Sequence, residues 1–389
     1  MRKIFNYTIQ TLKNTDFIKD IISNNWTPYL VGGCVRDYLM NLSPKDIDII
    51  VVGCDKKELI ELLSKYGKPD LVGESFAVIK FNYKGEIYDI STPRTEKKIG
   101  DGHKGFEVIS NKNISLETDL FRRDIAINSI AMDFDGNFVD PFGGIADLKN
   151  KIIKITNPDA FTDDPLRILR CVRFCARLNF KIDKTTSDLM MEIKPFIRQL
   201  SQERIIQEFD KVFEHAQKDQ KVLQRYIELL TEYKMWNQMF PGLDINQHIH
   251  VDIVSKPIVF LDLFCYENIN NKRKVFNKLT FPTDLINQMH FLQEYFNKMI
   301  EEGFDLYINS VYKLALLKSR FHIDNDLLLN FVYHKDLDIK FAKSFIKYCD
   351  DGFVISGIDL MEQGFKGAEI EREKERLEVE RFKKEYLKI

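Results

Sequence analysis

The sequence predicts an α+β protein in which a sheet-containing domain is followed by a long helical region. Between Tyr29 and about residue 140, short apolar runs alternate with turns, which is typical of strands gathered around one sheet. Beyond about residue 160, apolar residues recur at helical spacing and few strand-like runs remain. The segment Asp140–Gly144 (Asp-Pro-Phe-Gly-Gly) is a turn signal that ends the first domain.

The elements follow in order from these patterns. A lead-in helix is expected within residues 1–25 and another at Lys56–Lys65. Five strands are expected, at Tyr29–Val31, Ile47–Val52, Phe76–Tyr83, Glu86–Ser91 and Ala126–Phe134. Later helices are expected at Asp163–Phe180 and at 184–199, 201–216, 220–235, 284–302, 307–319 and 339–349. The polar segment Asn268–Lys278 predicts a loop, and the charged segment Glu369–Lys388 predicts a solvated terminal helix.

Composition narrows the function classes. The chain has 389 residues, 44% of them hydrophobic, which is enough for two to four domains with sizeable cores. Its net charge of −2 excludes a global basic field, so any RNA surface has to be a local patch. The chain starts without an apolar leader, lacks an apolar run of membrane-spanning length and has scattered cysteines without metal-ligand spacing. We therefore expect a cytoplasmic protein with no membrane partner.

Two short stretches indicate the chemistry: Gly32–Asp37 (Gly-Gly-Cys-Val-Arg-Asp) and Asp46–Asp48 (Asp-Ile-Asp). The second opens a predicted strand, and because side chains alternate along a strand, Asp46 and Asp48 share one face. Paired carboxylates suit a hard cation such as Mg²⁺. A Gly-Gly turn at a helix start lets backbone N–H groups approach a phosphate, and Arg36 adds positive charge. Either stretch alone is more often a turn or a strand end; together they predict nucleotidyl transfer.

Two further features lie near this pair in sequence. Asp89 sits among apolar residues of a predicted strand, so it is either a third catalytic carboxylate or a strand-edge residue facing water. The segment Arg94–Gly105 is rich in glycine and basic residues, which is typical of a mobile cationic loop that closes over a phosphate or a nucleic-acid end. A plain surface loop has the same composition.

Arginines dominate two other segments. Arg122 and Arg123 precede an apolar run, and an inward-pointing Arg needs an anion, which a triphosphate or ribose contact would supply. On the helix Asp163–Phe180, four arginines fall within about a third of a turn. Such a stripe is either a solvated basic face or a site for an anion, and Asp164 before Pro165 is either a helix cap or a base-reading group. The four arginines are Arg167, Arg170, Arg173 and Arg177.

These motifs together resemble those of the class II tRNA nucleotidyltransferases (CCA-adding enzymes) and the related bacterial poly(A) polymerases. Gly32–Asp37 with Asp46–Asp48 is similar to the family's metal-site motif, and Arg122–Asn128 (Arg-Arg-Asp-Ile-Ala-Ile-Asn) to its ribose-reading motif. Asp163–Arg167 is similar to its nucleotide-selecting motif, although Asp163 stands where Glu is usual. The resemblance is dense over residues 27–216 and thin from there to 356, and it returns weakly in the tail.

The resemblance implies a polymerase-β-like head with a small mixed sheet, followed by an all-helical neck, body and tail. We place the catalytic head at 1–150, the nucleotide-selecting neck at 151–220, the body at 221–340 and a tRNA-binding tail at 341–389. It implies Mg²⁺ as cofactor and tRNA, CTP and ATP as partners; the oligomeric state stays open. The implied metal ligands are Asp46 and Asp48, with Asp89 as a candidate third carboxylate. The implied nucleotide contacts are Gly33, Arg36, Arg123, Asp164, Arg167, Arg170 and Arg173.

Close alternatives remain at the level of sequence. A poly(A) polymerase is the nearest, but the segments Gly73–Ile79 and Gly100–Phe106 are more similar to CCA-adding enzymes. A partial enzyme that adds only CC or only A is also compatible with every motif. An inactive nucleotide- or RNA-binding protein would be expected to have lost the Asp46–Asp48 pair, which is intact.

Overall fold

The computed structural model describes residues 9–72, 78–98, 106–247, 249–252, 254–264, 281–300 and 308–388. The chain forms two compact units, Met1–Ser201 and Gln202–Ile389. The finer division into head, neck, body and tail stays a prediction. Several predicted features lie wholly or partly outside the described residues, among them the loop Asn268–Lys278, residues 99–105 of the basic loop, and residues 73–77 of Gly73–Ile79.

A mixed sheet organises the first unit. Its strands run in the order β3-β4-β5-β2-β1-β8-β9, and the pair β2–β5 is parallel whereas the other pairs are antiparallel. The α+β class and the small mixed sheet are thus confirmed. The strands are β1 Thr27–Val31, β2 Ile47–Val52, β3 Pro69–Val72, β4 Val78–Tyr83, β5 Glu86–Ser91, β8 Ala131–Asp133 and β9 Phe138–Val139, with a separate hairpin of β6 Arg94–Lys98 and β7 Phe106–Ser110.

The two faces of this sheet differ in character. One face carries the main core, in which Ile49 and Val51 of β2 pack with Phe17, Val35 and Leu59 from three helices. The opposite face carries only a small apolar cluster, formed by Val31, Ile50, Leu116, Leu120 and Ala131. Alternation along β2 therefore sends Ile47, Ile49 and Val51 into the core and Asp48 to the opposite, more open face.

Each helix predicted for the first unit is found near its predicted position, whereas the helices Leu116–Phe121, Gly144–Asn150 and Pro158–Asp163 were not predicted. The predicted strand Ala126–Phe134 is wrong in its first half, because Ala126–Asn128 form a 3₁₀ turn and β8 starts only at Ala131. Every residue from Ile125 to Met132 is buried, so the apolar run signals burial and not extended backbone. The α-helices are Asp16–Ser23, Gly33–Leu39, Lys56–Leu63, Leu116–Phe121, Gly144–Asn150, Pro158–Asp163, Leu166–Leu178 and Lys184–Ile193.

The helix Leu166–Leu178, called the arginine helix below, has clear physical boundaries. It begins after Pro165, whose fixed φ suits a helix start, and ends at Asn179, whose φ of 54° is the left-handed conformation that terminates helices. Its apolar side, including Ile168, Leu169 and Val172, is fully buried. Burial of that side turns the arginines toward the sheet domain of the same unit.

The second unit is helical over its described residues, as predicted. Helix Lys256–Leu263 was not predicted, because nearly all sides of the helix are apolar and its sequence therefore shows no helical periodicity. The terminal helix was predicted as solvated, which is wrong for Glu378, Val379 and Phe382, all of which are buried. The helices are Gln202–Ala216, Lys221–Glu232, Trp236–Met239, Lys256–Leu263, Thr283–Ile300, Val311–Arg320, Asn325–His334, Ile339–Asp351, Gly357–Glu362 and Ala368–Arg381, which continues as the π-helical segment Phe382–Leu387. No helix in the described ranges is long and apolar enough to cross a bilayer.

Candidate active site

The open face of the sheet carries a row of charged side chains across three strands. Asp48 on β2 is in register with Asp89 on the parallel strand β5, and Asp89 is in register with Lys80 on the antiparallel strand β4. Directly opposite residues of neighbouring strands project to the same face. Lys80 Nζ donates a hydrogen bond to Asp89 Oδ1 at 2.9 Å. The sheet thus places Asp48 and Asp89 next to each other on one face, a point that the sequence left open, and adds a lysine that sequence reasoning missed.

Asp48 has an unusual electrostatic position. Burial, with smaller contributions from the charges of Asp89 and Asp46, raises the pKa of Asp48 to about 6 against the opposing effect of Arg123 and Lys80. Asp46 lies in the bend immediately before β2 and is exposed. A bound cation would relieve the mutual repulsion of these carboxylates, and oxygen ligands are what hard divalent cations prefer. The donor chemistry therefore fits a divalent metal.

No complete metal site is formed in advance. Across the described part of the chain, no three His, Cys, Asp or Glu side chains are grouped so that they could hold an ion. Asp89 is instead engaged by Lys80. The assignment of Asp46 and Asp48 as metal ligands, and of Asp89 as a third catalytic carboxylate, stays a prediction.

A glycine turn separates Asp48 from a guanidinium group. Gly32 has φ +72°, and a Cβ atom built on it would lie 2.7 Å from Arg123 Nη1 and 3.8 Å from Asp48 Oδ2. A side chain at this position would therefore displace Arg123 as well as strain the backbone. At Gly33, by contrast, a Cβ atom would meet only Arg36 Nη2, at 3.6 Å. The sequence predicts a nucleotide contact at Gly33, whereas Gly32 is the position where the backbone conformation and the short Cβ distance favour glycine.

Arg36 is a buried structural node. It lies on helix Gly33–Leu39 and is only 3% exposed. Its Nε and Nη2 donate to Asp37 Oδ1 at 2.8 and 2.7 Å, and its Nη1 donates to Asn128 Oδ1 at 2.6 Å. The carboxylate of Asp37 offsets its charge, so Arg36 positions Asn128 in this structure. A contact between Arg36 and a nucleotide stays a prediction.

Asp119 supplies the anion that the paired arginines were expected to take from a ligand. Arg122 donates to its Oδ1 from Nε at 3.0 Å and from Nη2 at 2.8 Å, and Arg123 Nη2 donates to its Oδ2 at 3.2 Å. Burial by itself would raise the pKa of Asp119, but the charges of Arg122 and Arg123 hold that pKa below its usual range. The anion that these inward-pointing arginines need is therefore a protein carboxylate in this structure, and a contact between Arg123 and a nucleotide stays a prediction. Arg123 Nε is nevertheless buried without a hydrogen-bond partner.

The arginine helix is bound to the sheet domain through two more carboxylates. Arg170 Nε donates to Asp124 Oδ2 at 2.7 Å, and Arg177 Nη2 lies 3.5 Å from Asp37 Oδ2. Burial would raise the pKa of Asp124, but the guanidinium groups of Arg170 and Arg167 hold it well below its usual range. The stripe is therefore not a solvated basic face, and protein carboxylates supply much of the negative charge that a ligand was expected to provide.

Phe174 is a residue of this site that sequence reasoning missed. Its ring lies 4.5 Å from Arg173 Cζ and 5.3 Å from Arg36 Cζ, which is a cation–π geometry for both. Arg173 itself is only 5% exposed. On a helical wheel Phe174 falls inside the arginine stripe, and that angular position was the available signal.

Asn128 is the third residue of the site that sequence reasoning missed. Its side chain accepts from Arg36 and donates to Asp124 Oδ1 at 3.4 Å, while its backbone oxygen accepts from Arg123 Nη1 at 3.3 Å. The buried amide of Asn128 thus connects helix Gly33–Leu39 to the segment Arg122–Asn128. The signal was its place at the end of the Arg122–Asn128 motif.

The predicted base-reading pair is anchored locally. Asp164 Oδ1 accepts from the backbone N–H of Leu166 at 3.2 Å, so Asp164 caps the start of the arginine helix. Arg167 Nη1 donates to the backbone oxygen of Arg122 at 2.8 Å. The structure thus connects Arg167 to the arginine pair, and the reading of a base by Asp164 and Arg167 stays a prediction.

Comparison with known proteins places the chain among relatives of known family. Residues 28–154 match the family model described as the poly A polymerase head domain, and residues 179–246 match the one described as the probable RNA and SrmB-binding site of polymerase A. A multifunctional CCA protein of Mannheimia succiniciproducens is 42% identical over 220 residues, which are 55% of this chain and 49% of that protein. The chain therefore spans about half the length of this curated relative.

Solved structures share the fold. The apo form II of a CCA-adding enzyme superposes with a TM-score of 0.70 at 22% identity, over 97% of this chain and 92% of that one. The Bacillus stearothermophilus CCA-adding enzyme in complex with CTP superposes with a TM-score of 0.69 at 20% identity, over 93% and 90%. At these identities the likeness establishes the architecture, a polymerase-β-like head with a mostly helical remainder.

Proposed function

The chain belongs to the family of class II CCA-adding enzymes and bacterial poly(A) polymerases, and from this membership we propose that it adds C, C and A to the 3′ end of tRNA. The nucleotides come from CTP and ATP, no nucleic-acid template is used, and pyrophosphate is released. A tRNA substrate favours the cytoplasm as the place of the reaction.

One observation supports this proposal most strongly. A Cβ atom built on Gly32 would lie 2.7 Å from Arg123 Nη1 and 3.8 Å from Asp48 Oδ2, so a side chain at this turn would push the guanidinium group aside. A metal-binding carboxylate on one side and a phosphate-binding arginine on the other are what transfer of a nucleotidyl group requires. The backbone N–H groups at the start of helix Gly33–Leu39 lie at the same turn.

Nucleotidyltransferases generally use divalent metals, and we propose Mg²⁺, held by Asp46 and Asp48. When bound, the metal would lower the pKa of the attacking 3′ hydroxyl and stabilise the negative charge of the triphosphate. Asp89 is the candidate for a third carboxylate once Lys80 releases it. We propose that Arg123, whose Nε is buried without a hydrogen-bond partner, donates to the triphosphate or to the ribose.

The arginine helix is the proposed base reader. Asp164 accepts from an exocyclic amine and Arg167 donates to the base, so that CTP and then ATP are selected by the protein itself. Arg170 and Arg173 are held by Asp124 and Phe174, which keeps this helix fixed against the sheet domain. Gly33 and Arg36 complete the predicted nucleotide contacts.

The test of this function is the sequence of the product. The protein is incubated with Mg²⁺ and tRNA that ends before CCA, after C or after CC, with CTP and ATP given separately and together. With both nucleotides present, we expect each tRNA to be completed to CCA and then left unextended. Long A tails would favour a poly(A) polymerase, addition of only CC or only A would favour a partial enzyme, and binding without incorporation would favour an inactive RNA-binding protein.

A further inference from the structure

We propose that Lys80 is a positioning residue that takes the place of a divalent cation beside Asp89 in the metal-free enzyme and has to yield when the metal binds. This inference deepens the proposed function and rests on it. It concerns a row of three side chains on the open face of the sheet: Lys80, Asp89 and Asp48. They lie in register on the neighbouring strands β4, β5 and β2.

The contacts of Lys80 define the starting state. Its Nζ lies 2.9 Å from Asp89 Oδ1, and its side chain is 46% exposed, so the ammonium can swing into solvent without unpacking the core. Its neighbours on β4, Ile79 and Phe81, are buried on the opposite face. Movement of Lys80 therefore requires only rotation of its own stem.

The charges of the row explain why a cation belongs there. Three carboxylates, Asp46, Asp48 and Asp89, are close enough to affect one another, and Arg123 lies at the Asp48 end. Lys80 lies at the Asp89 end of the row. Without a metal, Arg123 and Lys80 together offset this negative charge from its two ends.

A divalent ion competes with Lys80 but not with Arg123. Asp89 has to give up the Lys80 ammonium before its oxygen can turn to a metal shared with Asp48. Arg123, by contrast, is bonded to Asp119 Oδ2 and to the backbone oxygen of Asn128, which hold it in place. The lysine therefore reduces the affinity of the free enzyme for the metal, since binding has to break the contact between Lys80 and Asp89.

Binding of Mn²⁺ alone, without nucleotide or tRNA, tests this inference. Free Mn²⁺ is measured by electron paramagnetic resonance for wild type, K80M, K80R and the control K65M. The control removes another surface lysine–aspartate contact of the same unit, between Lys65 and Asp20 at 3.2 Å. We expect K80M to bind Mn²⁺ about five- to tenfold more tightly, because one positive charge is removed from the site. K80R and K65M should match the wild type.

Thermal unfolding supplies a second readout that does not depend on activity. Without metal, K80M should unfold at a lower temperature than wild type, and saturating Mn²⁺ should narrow that difference, because the contact is absent from the metal-bound state. If K80M binds Mn²⁺ no more tightly than wild type does, the proposed role of Lys80 is overturned and the metal assignment is left standing. If the wild type binds no Mn²⁺, or binds it as tightly as the variant D48N does, both the metal assignment and this inference are overturned.

Discussion

At the scale of single residues, the candidate site depends on which groups already have partners. Asp119 and Asp124 bind arginines that sequence reasoning had reserved for a nucleotide, so these arginines are held in place before any ligand arrives. Positions fixed in this way do not have to be ordered during binding, which lowers the entropic cost of recognition. Gly32 and Arg123 show this dependence most directly.

Gly32→Ala is predicted to weaken productive nucleotide binding. The new Cβ atom would lie 2.7 Å from Arg123 Nη1, which must then move away from Asp48. We expect at least a tenfold loss of kcat/KM, corresponding to about 1.4 kcal/mol of lost transition-state stabilisation. Steady-state incorporation of CTP measures it.

The matched control is Gly136→Ala. Gly136 also has a positive φ, +91°, but no atom lies within 4 Å of its Cβ position. Both variants carry the backbone cost of about 1–2 kcal/mol, so thermal unfolding should show a loss of stability in each. Equal activity of the two variants would show that displacement of Arg123 has no functional consequence.

Arg167→Ala is predicted to blur the choice between CTP and ATP more than it weakens triphosphate binding. Arg167 lies on the arginine helix, donates to the backbone oxygen of Arg122 and is one of the two proposed base-reading residues. The ratio of kcat/KM for CTP and ATP on tRNA ending after C measures this selectivity. Arg177→Ala is the control, because its contact is with Asp37. Unchanged selectivity in Arg167→Ala would mean that the base is read elsewhere.

At the scale of elements, the sequence predicts position well where periodicity reports burial of one face. Strands β2 and β5 begin and end at the predicted residues because their alternation is set by one buried and one open face. Helix Lys256–Leu263 and the 3₁₀ turn Ala126–Asn128 were missed, since a run buried on all sides has no period to detect. Lys80, Phe174 and Asn128 were missed because their roles depend on neighbours that are distant in the sequence.

Helix packing in the second unit is predicted to depend on pH through His334. His334 Nε2 lies 2.6 Å from Asp262 Oδ2, which connects helix Asn325–His334 to helix Lys256–Leu263. The hydrogen bond to Asp262 raises the pKa of His334 above its usual 6.5. Because the folded pKa is the higher one, this stabilisation is complete below about pH 6.5 and is lost as the pH rises through the folded value.

The measurement is the free energy of unfolding of wild type and H334Q between about pH 6 and 8.5, where we expect their difference to shrink by about 0.5–1 kcal/mol. D262N is the control, because removal of the partner carboxylate should remove most of the pH dependence. A difference between wild type and H334Q that stays constant or grows with pH would contradict this role of the ion pair.

At the scale of the whole molecule, the small net charge means that RNA binding has to rest on local groups of basic residues. The chain carries 57 Lys and Arg against 59 Asp and Glu, so long-range attraction to a polyanion is weak. Affinity for tRNA then has to come from specific phosphate contacts, each of which releases counterions.

Affinity for tRNA is predicted to fall steeply as salt rises. With several phosphates contacted, the dissociation constant should increase at least about tenfold between 50 and 200 mM KCl. Filter binding or fluorescence anisotropy measures it, and thermal unfolding in the same buffers shows that the protein stays folded. An affinity insensitive to salt would argue against a basic RNA surface.

The most direct test of the central claim is nucleotide addition by Asp46→Asn and Asp48→Asn beside wild type. Both carboxylates lie outside the main core, so the variants should keep their fold and their tRNA affinity. Loss of the metal ligands should nevertheless reduce the rate of addition by about a thousandfold or more. Folded variants that continue to add CCA at a rate near that of the wild type would contradict the account.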